Sequence, residues 1–334
     1  MSRRRKVAII VAAALGLLLV IAGGAAFWLQ KTYEEPGPLM ENALILLPRG
    51  AGLHTASHRL EQMGAIRDRR VFTAITLIRG DGKALKAGEY EIPRGASIAR
   101  ILSILKSGRV YQRRLTVPEG YTSRQVADLL NAAPALTGEI TAVPPEGSLL
   151  PETYFYTHGE NREVLLARMR RAMEAFLSQS WEQRAADLPF ATADEALILA
   201  SIVERETAIP DERPRVAAVF INRLRAGMRL QSDPTVAYGI NNGAPLDRPL
   251  TRKDLAEPSP YNTYVIDGLP PSPIANPGRE AIRAVLSPIA SDEFYFVADG
   301  TGGHVFARTL AEHNRNVARW REIQRKARKA ATGD

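Results

Sequence analysis

Residues Val7 to Leu29 form an apolar stretch without a single charge, and Arg3, Arg4, Arg5 and Lys6 stand immediately before it. A helix over that run rises about 35 Å, enough for the ~30 Å hydrocarbon core of a bilayer. A chain that opens this way is expected to hold to a membrane by one helix at 7–29 and to fold the rest in water. A cleaved signal peptide is the competing reading, but its apolar core would be shorter, and Gly24-Ala25-Ala26 is a weak cleavage signal. The basic cluster precedes the span and Tyr33-Glu34-Glu35 follows it, so the positive-inside rule puts residues 1–6 in the cytoplasm and exports everything beyond Gln30.

At 334 residues the chain is long enough for two domains, each with its own core. The absence of cysteine fits an exported protein that needs no disulfides. The net charge of +8 sits partly in the N-terminal cluster and partly in the tail from Arg315 to Lys329. Attraction to anionic lipid or wall polymer explains that charge, and nucleic acid is not an expected partner.

Residues 30–42 read as a linker, with Glu34-Glu35-Pro36-Gly37-Pro38 as a stiff stalk. Strand, helix, helix and strand are then expected at Ala43–Leu47, His54–Met63, Arg70–Ile78 and Glu89–Ile92. Three related phrases, Leu47-Pro48-Arg49-Gly50, Ile92-Pro93-Arg94-Gly95 and Val117-Pro118-Glu119-Gly120, mark strand-to-helix turns. That order resembles a LysM-like module over 43–136, a fold that commonly grips N-acetylglucosamine chains; a plain α+β spacer domain is the alternative. The Pro-, Gly- and Thr-rich segment 137–147 is the expected boundary. A second domain, 147–330, follows with helices at Arg162–Gln179, Ala193–Glu206, Arg213–Ala226 and Leu310–Lys329 and a strand at Glu293–Ala298. A long Pro/Gly/Asn-rich region from Asp233 to Gly278 is expected to be functional. The fold class is α+β: one N-terminal transmembrane helix, a small LysM-like α+β module and a larger mixed α/β catalytic domain.

Carboxylate chemistry is what the residue types leave. The five histidines, His54, His58, His158, His304 and His313, show no ligand-spaced cluster, and no metal or other cofactor is expected. Cysteine, a Gly-x-Ser-x-Gly elbow and a Gly-rich phosphate loop are all absent. The helix at 193–206 carries Glu204 and Glu206. At about 100° per residue, Glu206 falls on the face of Ile198, Leu199, Ile202 and Val203, and Glu204 lands opposite, beside Ala200 and Ser201. A carboxyl on an apolar face loses hydration and is pushed toward its neutral form, which a general acid needs. A pairing of Glu206 with Arg205 or Arg213 is the bland alternative.

The run Ala200-Ser201-Ile202-Val203-Glu204-Arg205-Glu206-Thr207, then Val219-Phe220-Ile221-Asn222-Arg223-Leu224, Met228 to Thr235 and Tyr261-Asn262-Thr263-Tyr264, closely resembles the YceG-like endolytic murein transglycosylases. Gly268-Leu269-Pro270-Pro271, Ile274 to Gly278 and Phe294 to Gly300 continue the match in order. The resemblance implies Glu206 as the catalytic glutamate and cleavage of N-acetylmuramic acid to N-acetylglucosamine bonds within nascent glycan, leaving 1,6-anhydro ends. It further implies an inner-membrane protein with its catalytic domain in the periplasm, glycan strands as substrate and peptidoglycan synthases as candidate partners. Glu152 departs from the family, which more often has aspartate there. Gln231, Asp233, Thr235, Tyr261, Asn262, Tyr264 and Asn276 are the expected sugar contacts. Asn276 before Pro277 also reads as a turn residue, and Asp233 before Pro234 as a helix cap. Two rival functions stay open: a hydrolytic muramidase using Asp233 or Asp254 beside Glu206, and a non-catalytic wall-binding scaffold.

Overall fold

The computed structural model describes residues 3–332; Met1 and Ser2, the start of the expected cytoplasmic segment, lie outside the described residues, as do Gly333 and Asp334. The first helix, α1, runs over Arg3–Glu34, with its apolar side chains exposed from Val7 to Trp28. It is long and apolar enough to cross a membrane. It outlasts the expected span because Gln30 to Glu34 offer nothing that breaks a helix, and it stops ahead of Pro36, whose ring excludes the helical conformation from the residue before it.

The chain divides into two compact units, 1–113 and 114–334. In the first, β1 (Ala43–Leu47) and β2 (Gly88–Ile92) pair antiparallel, with Ala43 opposite Ile92 and Leu47 opposite Gly88. The helices α2 (Leu53–Gln62) and α3 (Arg69–Ile78) lie between them in sequence, and α4 (Ile98–Ser107) follows. Leu60, Phe72, Tyr90, Ile92, Ile101 and Leu105 form the core. The expected stalk is instead part of this unit. Gly37 N donates to Gly95 O at 3.2 Å, Gly95 N donates to Leu39 O at 2.8 Å, and Tyr33 and Leu39 pack on the core. A Cβ at Gly37 would lie 2.4 Å from Ala96 O, so this close approach of two backbones requires glycine.

The second unit begins within β3 (Arg113–Thr116), at Arg114; β3 pairs with β4 (Thr153–Tyr156), and α5 (Ser123–Ala132) lies between them in sequence. All three repeated turn phrases precede a helix, α2, α4 and α5, and their glycines Gly50, Gly95 and Gly120 take φ of 80°, 63° and 75°. The expected boundary at 137–147 is not where the chain divides. Val117, Val126 and Leu130 share one buried cluster with Ile140, Leu149, Tyr154, Leu165 and Met169. The Arg162 guanidinium ties this segment down, donating to the carbonyls of Leu130, Asn131, Ala133, Leu136 and Gly138. A polar loop fastened by a side chain looks like a linker in sequence.

The remaining helices are α6 (Arg162–Glu182), α7 (Ala193–Glu206), α8 (Arg213–Arg225), α9 (Asp233–Asn241), α10 (Arg252–Ala256), α11 (Arg279–Leu286) and α12 (Leu310–Thr332). A hairpin of β5 (Tyr295–Ala298) and β6 (His304–Ala307) precedes α12. The region 233–278, expected as a loop, contains α9 and α10. Helix α7 runs through the core of this unit, and every residue from Ala196 to Val203 is buried, among them Leu199, Ile202 and Val203 against Val216, Phe220 and Ile282. Gly37→Ala is expected to lower the unfolding midpoint of the first unit in denaturant by a clear margin. An unchanged midpoint would show residues 35–39 to be a free tether.

Candidate active site

Helix α7 starts from a capping box: Thr192 Oγ1 accepts from Glu195 N at 3.2 Å and the Glu195 carboxylate accepts from Thr192 N at 3.1 Å. It ends at Thr207, whose backbone is extended. Glu204 and Glu206 therefore sit on the last turn of a helix whose middle is buried, and both residues are half-buried. The two-faced wheel is corrected on this point, because the helix is buried on every face from Ala196 to Val203.

The two carboxyls have different neighbours. Glu204, 5% exposed, accepts from Gly278 N at 2.8 Å and from Arg213 Nη2 at 3.2 Å, and Arg213 also reaches Glu119 at 3.5 Å. Burial still outweighs Gly278 and Arg213 and raises the pKa of Glu204. Among the described residues no guanidinium bonds Glu206: Arg213 is engaged by Glu204, and Arg205 donates to Gly120 O at 3.2 Å. Its Oε1 accepts from Ser232 Oγ. It keeps partial solvent access, yet burial pushes its pKa from 4.5 up to about 7, against the Ser232 hydrogen bond and the charges of His304 and Arg223; the negative Asp233 adds to the rise.

Ser232 is the N-cap of α9, with Pro234 in the first turn, but its hydroxyl does not cap the helix. Diverting a serine from a cap costs roughly 1 kcal/mol. The surrounding bonds hold it in the diverted position: Ser232 N donates to Thr263 Oγ1 at 2.9 Å, and Thr235 Oγ1 donates to Ser232 O at 2.7 Å while lying 2.8 Å from Thr263 Oγ1. Just before it, Gln231 takes the left-handed conformation, φ 52°, and its N donates to Thr263 O at 3.0 Å. Strain of this kind in a non-glycine residue costs about 1 kcal/mol or more and gathers at functional sites.

The expected sugar contacts separate into two groups. Gln231 and Asp233 are exposed; Tyr264 is half-buried and donates to Asp233 Oδ1 at 2.6 Å; Tyr261 is half-buried and lies 2.7 Å from Ser272 Oγ. These four remain accessible. Thr235, Asn262 and Asn276 are at most 1% exposed and have spent their polar groups on protein. Asn262 Nδ2 donates to the carbonyls of Asp254, Leu255 and Glu257 and its Oδ1 accepts from Tyr264 N. Asn276 Oδ1 accepts from Leu149 N, and its Nδ2 donates to Tyr121 O, Ser123 Oγ and Glu146 Oε1. These three shape the site without facing a ligand. Asp233 is the first residue of α9 and not its cap. Asp254 closes the α10 capping box and pairs with Arg248 at 2.6 Å, which holds its pKa far below the ordinary value. Glu152 is exposed and lies 3.5 Å from Arg279.

Sequence reasoning missed Ser232, Arg223 and the pair of His304 with Glu212. Arg223 is buried and donates to Phe294 O at 2.7 Å and Leu230 O at 2.6 Å. Its signal was present: it shares the helical face of Val216, Val219 and Phe220, where a cation needs a partner. Ser232 carried none beyond its place ahead of a proline.

The sequence matches the YceG-like family over residues 45–319. The chain belongs to that family. It is 30% identical to the endolytic murein transglycosylase of Bacillus subtilis, across 87% of this chain and 89% of that one. Against the enzyme of the same name from Streptococcus pneumoniae strain D39 the identity is 28% across 89% of this chain, which spans 62% of that longer protein. A crystal structure of a yceG-like protein from Listeria monocytogenes superposes with a TM-score of 0.53 at 29% identity, covering 82% of this chain and 98% of that one. The YceG-like match takes in α7, Ser232 and the β5–β6 hairpin together.

A carboxyl that titrates at about 7 when folded and at ~4.3 when unfolded holds its proton longer in the folded state. The folded state then binds more protons, so stability is full below pH ~4.3 and is lost as pH rises toward 7. Glu206→Gln is expected to match the parent at pH 4 and to exceed it at pH 8 by up to about 4 kcal/mol. Thermal midpoints of both proteins across pH 4 to 8 check this, and a mutant clearly weaker at pH 8 would assign Glu206 to an ion pair.

Proposed function

We propose that this YceG-like protein is an endolytic murein lytic transglycosylase in which Glu206 alone acts as acid and then base. The observation that supports it is a buried carboxyl, pushed up to about 7 and held by Ser232, with no salt bridge to it among the described residues. A lytic transglycosylase needs one such group, whereas most glycosidases need two. Protonated Glu206 gives its proton to the glycosidic oxygen between N-acetylmuramic acid and N-acetylglucosamine as C1 of the muramic residue becomes oxocarbenium-like. The resulting carboxylate takes the proton from the muramic C6 hydroxyl as that oxygen closes on C1. A 1,6-anhydro end forms, no water is consumed, and Glu206 is protonated again.

The neighbours fit the charges that move. The Asp233 carboxylate disfavours ionisation of the resting acid. Gln231 offers an amide to sugar hydroxyl or acetamido groups, and Tyr261 and Tyr264 offer ring faces. Hydrolysis would need a second carboxylate to activate water. Asp254, bound by Arg248 and Thr251, is committed to its helix cap, which leaves Asp233 as the carboxylate that rival would use; the presence or absence of added water in the products decides between the two.

The strand–helix–helix–strand unit at 43–92 suits a LysM-like grip on glycan, and α1 suits a single-pass anchor in the inner membrane. On that reading Arg3 to Lys6 lie in the cytoplasm, both units lie in the periplasm, and the enzyme releases nascent strands beside the peptidoglycan synthases. Mass spectrometry of the products from uncrosslinked glycan tests the activity with the full-length protein in detergent. The parent is expected to yield 1,6-anhydro ends, and Glu206→Gln to lose at least ~10²-fold in rate while staying folded. Products carrying an added water would mean hydrolysis, and cleavage by Glu206→Gln at the parental rate would remove Glu206 from the chemistry.

A further inference from the structure

An oriented imidazole stands beside the acid, and the single-carboxylate mechanism makes no use of it. His304 opens β6, and the Glu212 carboxylate holds it at two points, accepting from its backbone N at 2.8 Å and from ring Nδ1 at 2.7 Å. That contact keeps the proton on Nδ1 and leaves Nε2 as an acceptor in the neutral ring. Glu212 also accepts from Thr207 Oγ1 at 3.4 Å, and Thr207 is the residue that follows Glu206. Burial opposes the charge on Glu212, but the bonds from His304 outweigh it and its pKa is lowered. The chain leaves room for this grip: a Cβ at Gly303 would lie 2.7 Å from Glu212 Oε1. Phe296 supports the imidazole edge-on, with centroids 5.4 Å apart and planes at 88°.

The far end of the ring is open. Among the described residues no group bonds Nε2, and the side chain keeps 17% of its exposure. Through Glu212, which also binds Thr207, the ring is tied to the residue that directly follows Glu206. A histidine buried only for packing finds partners for both nitrogens, and a surface histidine is not pinned twice by one carboxylate. One nitrogen fixed and the other free beside the acid is the arrangement of a group that waits for a ligand.

We propose that His304 is a substrate-contacting residue of this site and that Glu212 is its positioning residue: Nε2 accepts a hydrogen bond from a hydroxyl of the sugar bound at Glu206. The proposal deepens the transglycosylase reading and rests on it. His304→Asn is the informative variant, because the asparagine amide can keep the bond that Nδ1 makes to Glu212 while Nε2 is lost. In full-length protein, His304→Asn is expected to keep the parental thermal midpoint and to lose roughly ten- to a hundredfold in kcat/KM, the value of one hydrogen bond strengthened in the transition state. In the Glu206→Gln protein, titration with uncrosslinked peptidoglycan glycan is expected to move the ¹⁵N resonance of His304 Nε2 and leave that of Nδ1 nearly still. Parental kcat/KM in His304→Asn, or an Nε2 resonance unmoved at saturating glycan, overturns the proposal. A parent that yields no anhydro product sinks the transglycosylase reading instead, and the resonance titration then still decides whether His304 touches glycan.

Discussion

Burial of the Glu206 carboxyl at the end of α7 is the constraint to which the second unit answers. Burying a carboxylate without a cation is costly, so such a group stays neutral until the pH rises well above its ordinary value. The fold supplies the burial by running α7 through its core, with Leu199, Ile202 and Val203 enclosed by α8 and α11. It withholds the compensation: the adjacent Arg205 and the nearby Arg213 are bound to Gly120 and to Glu204. One hydroxyl, that of Ser232, bonds the carboxyl, and Arg223 and His304 act on it only through their charge.

That choice shapes the surroundings. Glu204, two residues away, takes the opposite solution, a salt bridge and a backbone amide, and so fastens the last turn of α7 to the 276–278 segment through Gly278. Ser232 can serve Glu206 because Thr235 and Thr263 hold its backbone and Gln231 accepts a left-handed conformation before it. Asn262 and Asn276, with every polar atom engaged, lock the irregular chain that α9 and α10 interrupt. Small polar side chains are what an irregular, buried backbone needs to satisfy its amides and carbonyls.

Much of this was legible in the sequence. The apolar run without charge marked α1, the short apolar run Ala43–Leu47 marked β1, helical patterns marked α2, α3, α7 and α8, and Pro-x-Gly phrases marked three strand-to-helix turns. Glu206 was singled out by its place on an apolar face and by the Glu-x-Glu pair. Other features depended on contacts distant in sequence. Residues 114–136 join the second unit because Val117, Val126 and Leu130 meet Leu149 and Leu165 and because Arg162 reaches back about thirty residues to carbonyls. Asn262 and Asn276 resemble sugar ligands by residue type, and only burial reveals them as struts. His304 was dismissed with the metal question, since its partner Glu212 lies far from it in the chain.

The decisive quantity is the ionisation of Glu206 itself. Carbon-13 NMR of the side-chain carboxyl, assigned by its loss in Glu206→Gln and followed across pH 4 to 9 in the protein without substrate, reads it directly. An uncompensated buried acid requires an apparent pKa near 7. A carboxyl already ionised at pH 5 would contradict it, and the proton for the glycosidic oxygen would have to come from elsewhere.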